Sequence, residues 1–168
     1  LAPEWHVYWT YPGDAGAAPE VELTLVRRPP PGVLATKIFF SAPRRSALPG
    51  GLEAIGYQGE VVYPLGADIP GDARGQLRAV VDYVACAVEC IPYHDELEVT
   101  LDPANAGDAD EELLRRWLAK VPRARAEIGL DARLRYHLEP EPELEIELVG
   151  SPLAGADPQL FLEPPPGA

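Results

Sequence analysis

Two cysteines, Cys86 and Cys90, are separated by three residues in the stretch Val80-Val81-Asp82-Tyr83-Val84-Ala85-Cys86-Ala87-Val88-Glu89-Cys90-Ile91-Pro92-Tyr93-His94, and the chain has no others. A thiol exchanges with a disulfide through its thiolate, so a working pair needs access, a tolerable pKa and a second sulfur to resolve the mixed disulfide. The C-x3-C spacing lets Cys86 reach Cys90 without rearranging a domain. Carboxylates at Glu89, Asp95 and Glu96 disfavour a thiolate, whereas His94, if protonated and close, would favour one. The balance predicts no strongly depressed cysteine pKa, and therefore slow reaction with stray oxidants and dependence on a docked partner for speed.

Two other chemistries compete. A structural disulfide closing so small a loop contributes only roughly 2 kcal/mol, against about 3 for a fifteen-residue loop, which makes it a poor staple. A copper or zinc site could use Cys86, Cys90 and His94 in the spacing C-x3-C-x3-H. A structural zinc site wants a fourth ligand, and His6 and His137 lie far off in sequence, where each reads as a surface or packing residue. No glycine-rich phosphate loop, G-x-S-x-G elbow or H-E-x-x-H occurs, and no carboxylate pair is singled out by its spacing. The couples Arg27-Arg28, Arg44-Arg45 and Arg115-Arg116 read as solvated or ion-paired surface.

The elements that position the sulfurs follow from reach. A disulfide requires α-carbons within about 7 Å, whereas four steps of extended strand span roughly 13 Å. The chain must therefore turn between Cys86 and Cys90. Val80 to Ala85 is β-branched and aromatic, and Glu96-Leu97-Glu98-Val99-Thr100-Leu101 alternates polar with apolar. This predicts a hairpin tipped by Ala87-Val88-Glu89, with Pro92 just past the turn. A single helical turn would also join the sulfurs, but the flanks have period two rather than 3.6.

Upstream, Trp5-His6-Val7-Tyr8-Trp9-Thr10-Tyr11 reads as a strand with Trp5, Val7, Trp9 and Tyr11 on one face, ended by Pro12-Gly13-Asp14. A second strand carries Val21, Leu23 and Leu25 and closes at Pro29-Pro30-Pro31-Gly32, and a third runs from Ala35 to Phe40. Gly50-Gly51, Gly56-Tyr57-Gln58-Gly59 and Glu60 to Leu65 suggest a loop, a turn and a further strand. One helix is predicted over Asp108 to Val121, with Leu113, Leu114, Trp117, Leu118 and Val121 on one face, Asp108 and Glu111 at capping-box spacing, and Pro122 as its stop. It reads as scaffold across one end of the fold. Leu144, Ile146 and Leu148 alternate with Glu143, Glu145 and Glu147 in a late strand, and Glu139-Pro140-Glu141-Pro142 reads as a linker or the approach to that strand. A boundary near residue 126 divides a first domain, 1–125, from a tail, 126–168, that is either extra strands or a truncated second β domain.

Composition narrows the partners. With 27 acidic against 14 basic residues, the net charge of −13 opposes nucleic acid and anionic membrane surfaces. Twenty prolines and fifteen glycines in 168 residues imply many turns and short strands, and turn signals recurring roughly every ten residues fit a β-sandwich. No run reaches the roughly 18 apolar residues of a membrane-spanning helix, so this stretch is not expected to span the bilayer. The chain begins at Leu1 and contains no methionine, as expected of a processed or excised piece whose signal peptide or anchor lies outside it. A cysteine count of two fits an oxidising compartment.

Several segments in order resemble one family. Trp5-His6-Val7-Tyr8-Trp9-Thr10-Tyr11-Pro12-Gly13-Asp14-Ala15-Gly16 resembles the W-H-x-Y-W-x-x-P-G-D-x-G opening of the periplasmic amino-terminal domain of the DsbD/ScsB transmembrane thiol–disulfide reductases. Phe40-Ser41-Ala42-Pro43-Arg44-Arg45 resembles its aromatic-x-A-P-x-R segment, Gly56-Tyr57-Gln58-Gly59-Glu60-Val61 its G-Y-x-G-E stretch, and Cys86 to Pro92 its C-x3-C-I-P motif. The likeness covers residues 5 to about 101, and the joint order is far more specific than any one segment. It implies an all-β, immunoglobulin-like sandwich with one short helix, exported to the periplasm and tethered to the inner membrane through the rest of a longer protein. It further implies a protein-disulfide reductase module without a bound cofactor. Electrons would arrive from the thioredoxin-like and transmembrane domains of the same full-length protein and leave to thioredoxin-fold periplasmic partners. Carried over by motif, Cys90 forms the mixed disulfide and Cys86 resolves it. Three intervening residues match the ScsB-like branch, whereas the better-known members have five and a shielding aromatic cap loop. No cap is assigned here, and Tyr57 and Tyr93 are candidates for shielding the pair.

Overall fold

The computed structural model describes residues 1–26, 32–69, 74–101, 110–150 and 159–161. These fall into two compact units, Leu1–Val121 and Pro122–Glu163.

The first unit is an all-β, immunoglobulin-like sandwich built on the strands β1 (His6–Gly13), β2 (Glu20–Val26), β3 (Gly32–Leu34), β4 (Thr36–Ile38), β5 (Arg44–Ala47), β6 (Glu53–Gln58), β7 (Leu65–Ala67), β8 (Gly75–Cys86) and β9 (Cys90–Leu101). Seven of them form one antiparallel sheet, in which β3-β2-β8-β1-β6-β5 are neighbours in that order and β9 pairs with β8. β4 and β7 form a separate two-stranded ribbon. The long strand β8 organises the sheet. One of its edges carries β9 along its whole length, while the other is shared by β2, opposite Gln76 to Asp82, and β1, whose His6 lies opposite Cys86. The segment Pro29-Pro30-Pro31 lies outside the described residues.

β1 departs from the expected one-sided pattern. His6, Val7, Tyr8 and Trp9 are buried in succession, and Tyr11 is exposed. The strand pairs with β6 and β8 along its edges, and side chains on both of its faces are buried where it starts, whereas its far end is not covered. Gly56 also departs from expectation, because it lies inside β6 rather than in a turn. Its place opposite Tyr8 explains why a glycine is there: a Cβ added at Gly56 would come within 2.0 Å of the Val7 carbonyl oxygen. The following Glu60 to Pro64 segment is not a strand, and β7 starts only at Leu65. Tyr63 anchors this loop by donating its hydroxyl to the Tyr8 carbonyl at 2.9 Å and by edge contacts with Phe40 and Tyr57.

The helix α1 (Glu111–Leu118) is shorter than the apolar spacing predicts. Asp108 lies outside the described residues, and Asp110 occupies the N-cap position without a side-chain cap bond. Glu111 and Glu112 in the first turn and Arg115 and Arg116 in the last complement the helix dipole. Of its apolar face only Trp117 is buried, under the Lys120 ammonium, and Leu114 and Leu118 are exposed. The Lys120 carbonyl accepts the Ala42 N–H at 3.1 Å, which ties the helix end to the loop before β5.

The second unit contains a hairpin of β10 (Asp131–His137) and β11 (Glu143–Val149). Glu139-Pro140-Glu141-Pro142 is the connection within this hairpin, not a linker between domains. Leu134 faces Ile146 and Tyr136 faces Leu144 on one side, while Arg133 and Arg135 pair with Glu145 and Glu147 on the other.

Gly56→Ala is expected to destabilise the protein by about 2 kcal/mol or more, because the added methyl meets backbone that cannot retreat without opening the β1–β6 pairing. Gly32→Ala, where the methyl meets nothing within 4 Å, should change stability by less than about 0.5 kcal/mol. Urea midpoints of the two variants check this; equal midpoints would contradict the packing argument.

Candidate functional site

The hairpin predicted around the cysteines is present. β8 and β9 pair without a register shift from Gly75↔Leu101 to Cys86↔Cys90, and Ala87, Val88 and Glu89 form the tip, closed by a 3.1 Å bond from the Ala87 N–H to the Glu89 carbonyl. Three-residue loops are common hairpin connections. The register places the two cysteines directly opposite each other as the last pair, with α-carbons 4.1 Å apart and the sulfurs joined in a disulfide.

The two cysteines have different surroundings. Cys86 is buried at 3% exposure in a cluster with Tyr8 and Ala54, against which Leu48 and Val84 pack. Cys90, on the rim of the sheet, is exposed, as are Val88 and Glu89 beside it. Val88 at the tip is almost fully accessible at 99%. A molecule approaching the disulfide therefore meets Cys90 first.

The Tyr8 hydroxyl lies 3.8 Å from the Cys90 sulfur, and His6 Nε2 lies 3.2 Å from the same hydroxyl. Both side chains are buried. Burial pushes the Tyr8 phenol above its ordinary pKa, so it stays protonated. Reading His6 as a lone packing histidine missed this contact. The signal available in the sequence was the alternation in Trp5 to Trp9, which puts His6 and Tyr8 on one strand face, but their partner is 82 residues away from Tyr8.

Tyr57 and Tyr93, the candidates for shielding the pair, are each engaged by other groups. The Tyr57 hydroxyl is buried and donates to the Ser41 carbonyl at 2.7 Å, with burial raising its pKa strongly. Tyr93 stacks on Tyr83, its cross-strand partner, with ring centroids 5.0 Å apart. His94 is not brought to the sulfurs either. It lies four residues along β9 from Cys90, roughly 13 Å in an extended strand, and its Nδ1 pairs with Asp82 at 2.7 Å. The C-x3-C-x3-H set thus does not converge. Among the described residues no group of three or more His, Cys, Asp or Glu side chains is arranged to hold a metal.

The sequence of residues 1–102 matches the family described as thiol:disulfide interchange protein DsbD, N-terminal. The chain belongs to that family. The match spans the DsbD-type sandwich from its first residue through β9, with both cysteines inside it. Among solved structures, the N-terminal periplasmic domain of ScsB from Proteus mirabilis is similar, with 23% identity and a TM-score of 0.57 over 88% of this chain and 67% of that one. At that identity the likeness bears on the fold. No curated protein sequence matches the chain. Family membership and the paired cysteines together establish thiol–disulfide exchange as the general chemistry of this DsbD-type domain. Among the described residues no helix is long and apolar enough to cross a membrane.

The hydrogen bond to Asp82, and then the Asp82 charge, raise the His94 pKa, with Glu96 and Asp95 adding to the effect. A raised folded-state pKa gives stability that is complete below the ordinary histidine value of about 6.5 and is lost as pH rises through the folded value. His94→Ala should therefore lower the denaturation midpoint slightly at pH 5.5 and leave it unchanged at pH 9, the effect being small because the pair is exposed. Urea titrations at both pH values check this, and a larger loss at pH 9 would contradict it.

Proposed function

We propose that this domain is the periplasmic relay module of a protein-disulfide reductase. It passes electrons from the thioredoxin-like and membrane-embedded domains of its full-length protein to oxidised, thioredoxin-fold partner proteins. In this reading Cys90 is the attacking sulfur and Cys86 the resolving one. The observation that carries the assignment is the contrast between an exposed Cys90 and a buried Cys86 on one rigid hairpin.

The chemistry balances on the two sulfurs alone. In the reduced module the Cys90 thiolate attacks one sulfur of the partner's disulfide. A bond forms between Cys90 and that sulfur, and the partner's other sulfur leaves as a thiolate and takes up a proton. Cys86 then loses its proton and attacks the Cys90 sulfur, the Cys86–Cys90 disulfide forms, and the partner's second sulfur leaves and is protonated. Two electrons and two protons pass to the partner, and the module departs oxidised, ready to be reduced from its own carboxy-terminal side. The hairpin keeps Cys86 opposite Cys90, so resolution is intramolecular and needs no domain movement.

The same reading takes residues 1–125 as the exchange domain and 126–168 as additional β structure, either further strands or part of a second domain. The β10–β11 hairpin supports it, since its residues pair with each other rather than with the sandwich strands. Periplasmic placement is supported by the compartment named for the similar ScsB domain.

Cys90→Ser should abolish electron transfer to an oxidised thioredoxin-fold protein, whereas Cys86→Ser should accumulate a mixed disulfide with it through Cys90. Non-reducing electrophoresis after incubation with the partner separates the two. Trapping by Cys90→Ser and not by Cys86→Ser would reverse the assignment.

A further inference from the structure

Among the described residues Tyr8 is the largest side chain that is fully buried, at 1% exposure, yet its polar atom does not end in apolar packing. The hydroxyl is placed between His6 Nε2 at 3.2 Å and the Cys90 sulfur at 3.8 Å. The rings of His6 and Tyr8 meet edge to face, with centroids 5.2 Å apart. Tyr8 has little freedom to leave this position. A Cβ at Gly16 would come within 2.0 Å of the Tyr8 ring, so the Pro12-Gly13-Asp14-Ala15-Gly16 turn packs directly on it, and the Tyr8 carbonyl is held by Tyr63. The surroundings of Cys86 and Tyr8 are apolar, being Ala54, Leu48 and Val84. The nearest charge in sequence to Cys90 is the exposed Glu89 carboxylate at the tip, and His94, Asp82, Asp95 and Glu96 lie farther along the hairpin.

We infer that Tyr8 is a catalytic residue of the exchange reaction, donating its hydroxyl hydrogen to the Cys90 sulfur when that sulfur carries negative charge, and that His6 is the positioning residue that aims it. The inference rests on the assignment of Cys90 as the attacking sulfur. A disulfide sulfur is a weak acceptor and a thiolate a strong one, so the contact strengthens when the pair is reduced. Tyr8 can donate to sulfur if its oxygen accepts from His6, which selects the tautomer with hydrogen on Nε2. Two hydrogen bonds in series in a buried setting reinforce each other. The arrangement offsets the acidic character of the chain, which otherwise disfavours a thiolate at Cys90. No proton is transferred by Tyr8. Burial keeps the phenol protonated, and its role is to hold a hydrogen bond on the reacting sulfur.

The test uses the full chain carrying Cys86→Ser, in which Cys90 is the one cysteine left. Its rate of iodoacetamide alkylation is followed against pH. Adding Tyr8→Phe should raise the apparent Cys90 pKa by about one unit, which is about a tenfold loss of alkylation rate near neutral pH. His6→Leu should raise it in the same direction, and His6→Gln, which keeps an N–H donor, should raise it less. Coincident pH profiles for all four proteins would overturn the inference. If Tyr8→Phe does not fold, as judged by circular dichroism, the comparison of His6→Leu with His6→Gln decides alone, and identical profiles for that pair overturn the aiming role and the inference with it. Failure of the relay itself reads differently: Cys86→Ser with Tyr8 intact would then trap no partner, whatever its alkylation profile.

Discussion

The structure depends on the unbroken register between β8 and β9. Twelve consecutive pairs place Cys86 opposite Cys90 and leave three residues to make the turn. A slip of one residue would send every side chain of the hairpin to the other face and separate the sulfurs. The register is secured along its length by the stacked Tyr83 and Tyr93, by the Asp82–His94 pair and by the Arg78–Glu96 ion pair. These contacts are mostly exposed and individually weak. Tyr83 with Tyr93 and Asp82 with His94 are directly opposite pairs in the register that brings the cysteines together, and Arg78 reaches Glu96 diagonally across the same two strands. The chemistry of the site is then a matter of which sulfur faces outward.

That question is decided by the other edge of β8. Cys86 pairs with His6 of β1 on one side and with Cys90 of β9 on the other, so Cys86 lies inside the sheet and is buried, while Cys90 lies at its rim and is exposed. The glycines that look like turn signals serve this packing. Gly56 lets β6 close on the Val7 carbonyl, and Gly16 lets the following turn lie on the Tyr8 ring. The motifs shared with the DsbD family thus have a physical reading. The W-H-x-Y-W segment brings His6 and Tyr8 behind the disulfide, the G-Y-x-G-E segment pairs with it through Gly56, and the C-x3-C-I-P segment carries the sulfurs in front.

Local pattern was enough to read the hairpin, the sandwich class and the cysteine pair, because strand alternation and disulfide reach are properties of neighbouring residues. What the sequence left hidden was long-range. The contact of Tyr8 with Cys90 joins residues 82 apart, and burial of both faces at the start of β1 depends on parts of the chain far off in sequence, which no period-two count reports. Gly56 resembles a turn residue because the same lack of a side chain suits turns and close strand approach. Tyr57 and Tyr93 are candidate shields by sequence, and in the structure Tyr57 is bound to Ser41 and Tyr93 is stacked on Tyr83. Leu114 and Leu118 lie on the expected apolar helix face but remain exposed beside the buried Trp117, because period 3.6 marks a face without showing how much of it is covered.

The central claim, that the Cys86–Cys90 bond is made to be broken and remade, is tested most directly by its reduction potential. The oxidised protein is equilibrated in graded glutathione or dithiothreitol buffers and the free thiols are counted by alkylation. The account predicts a potential within the range of exchange proteins, about −180 to −270 mV. A value well below about −300 mV would mark a structural bond and contradict it.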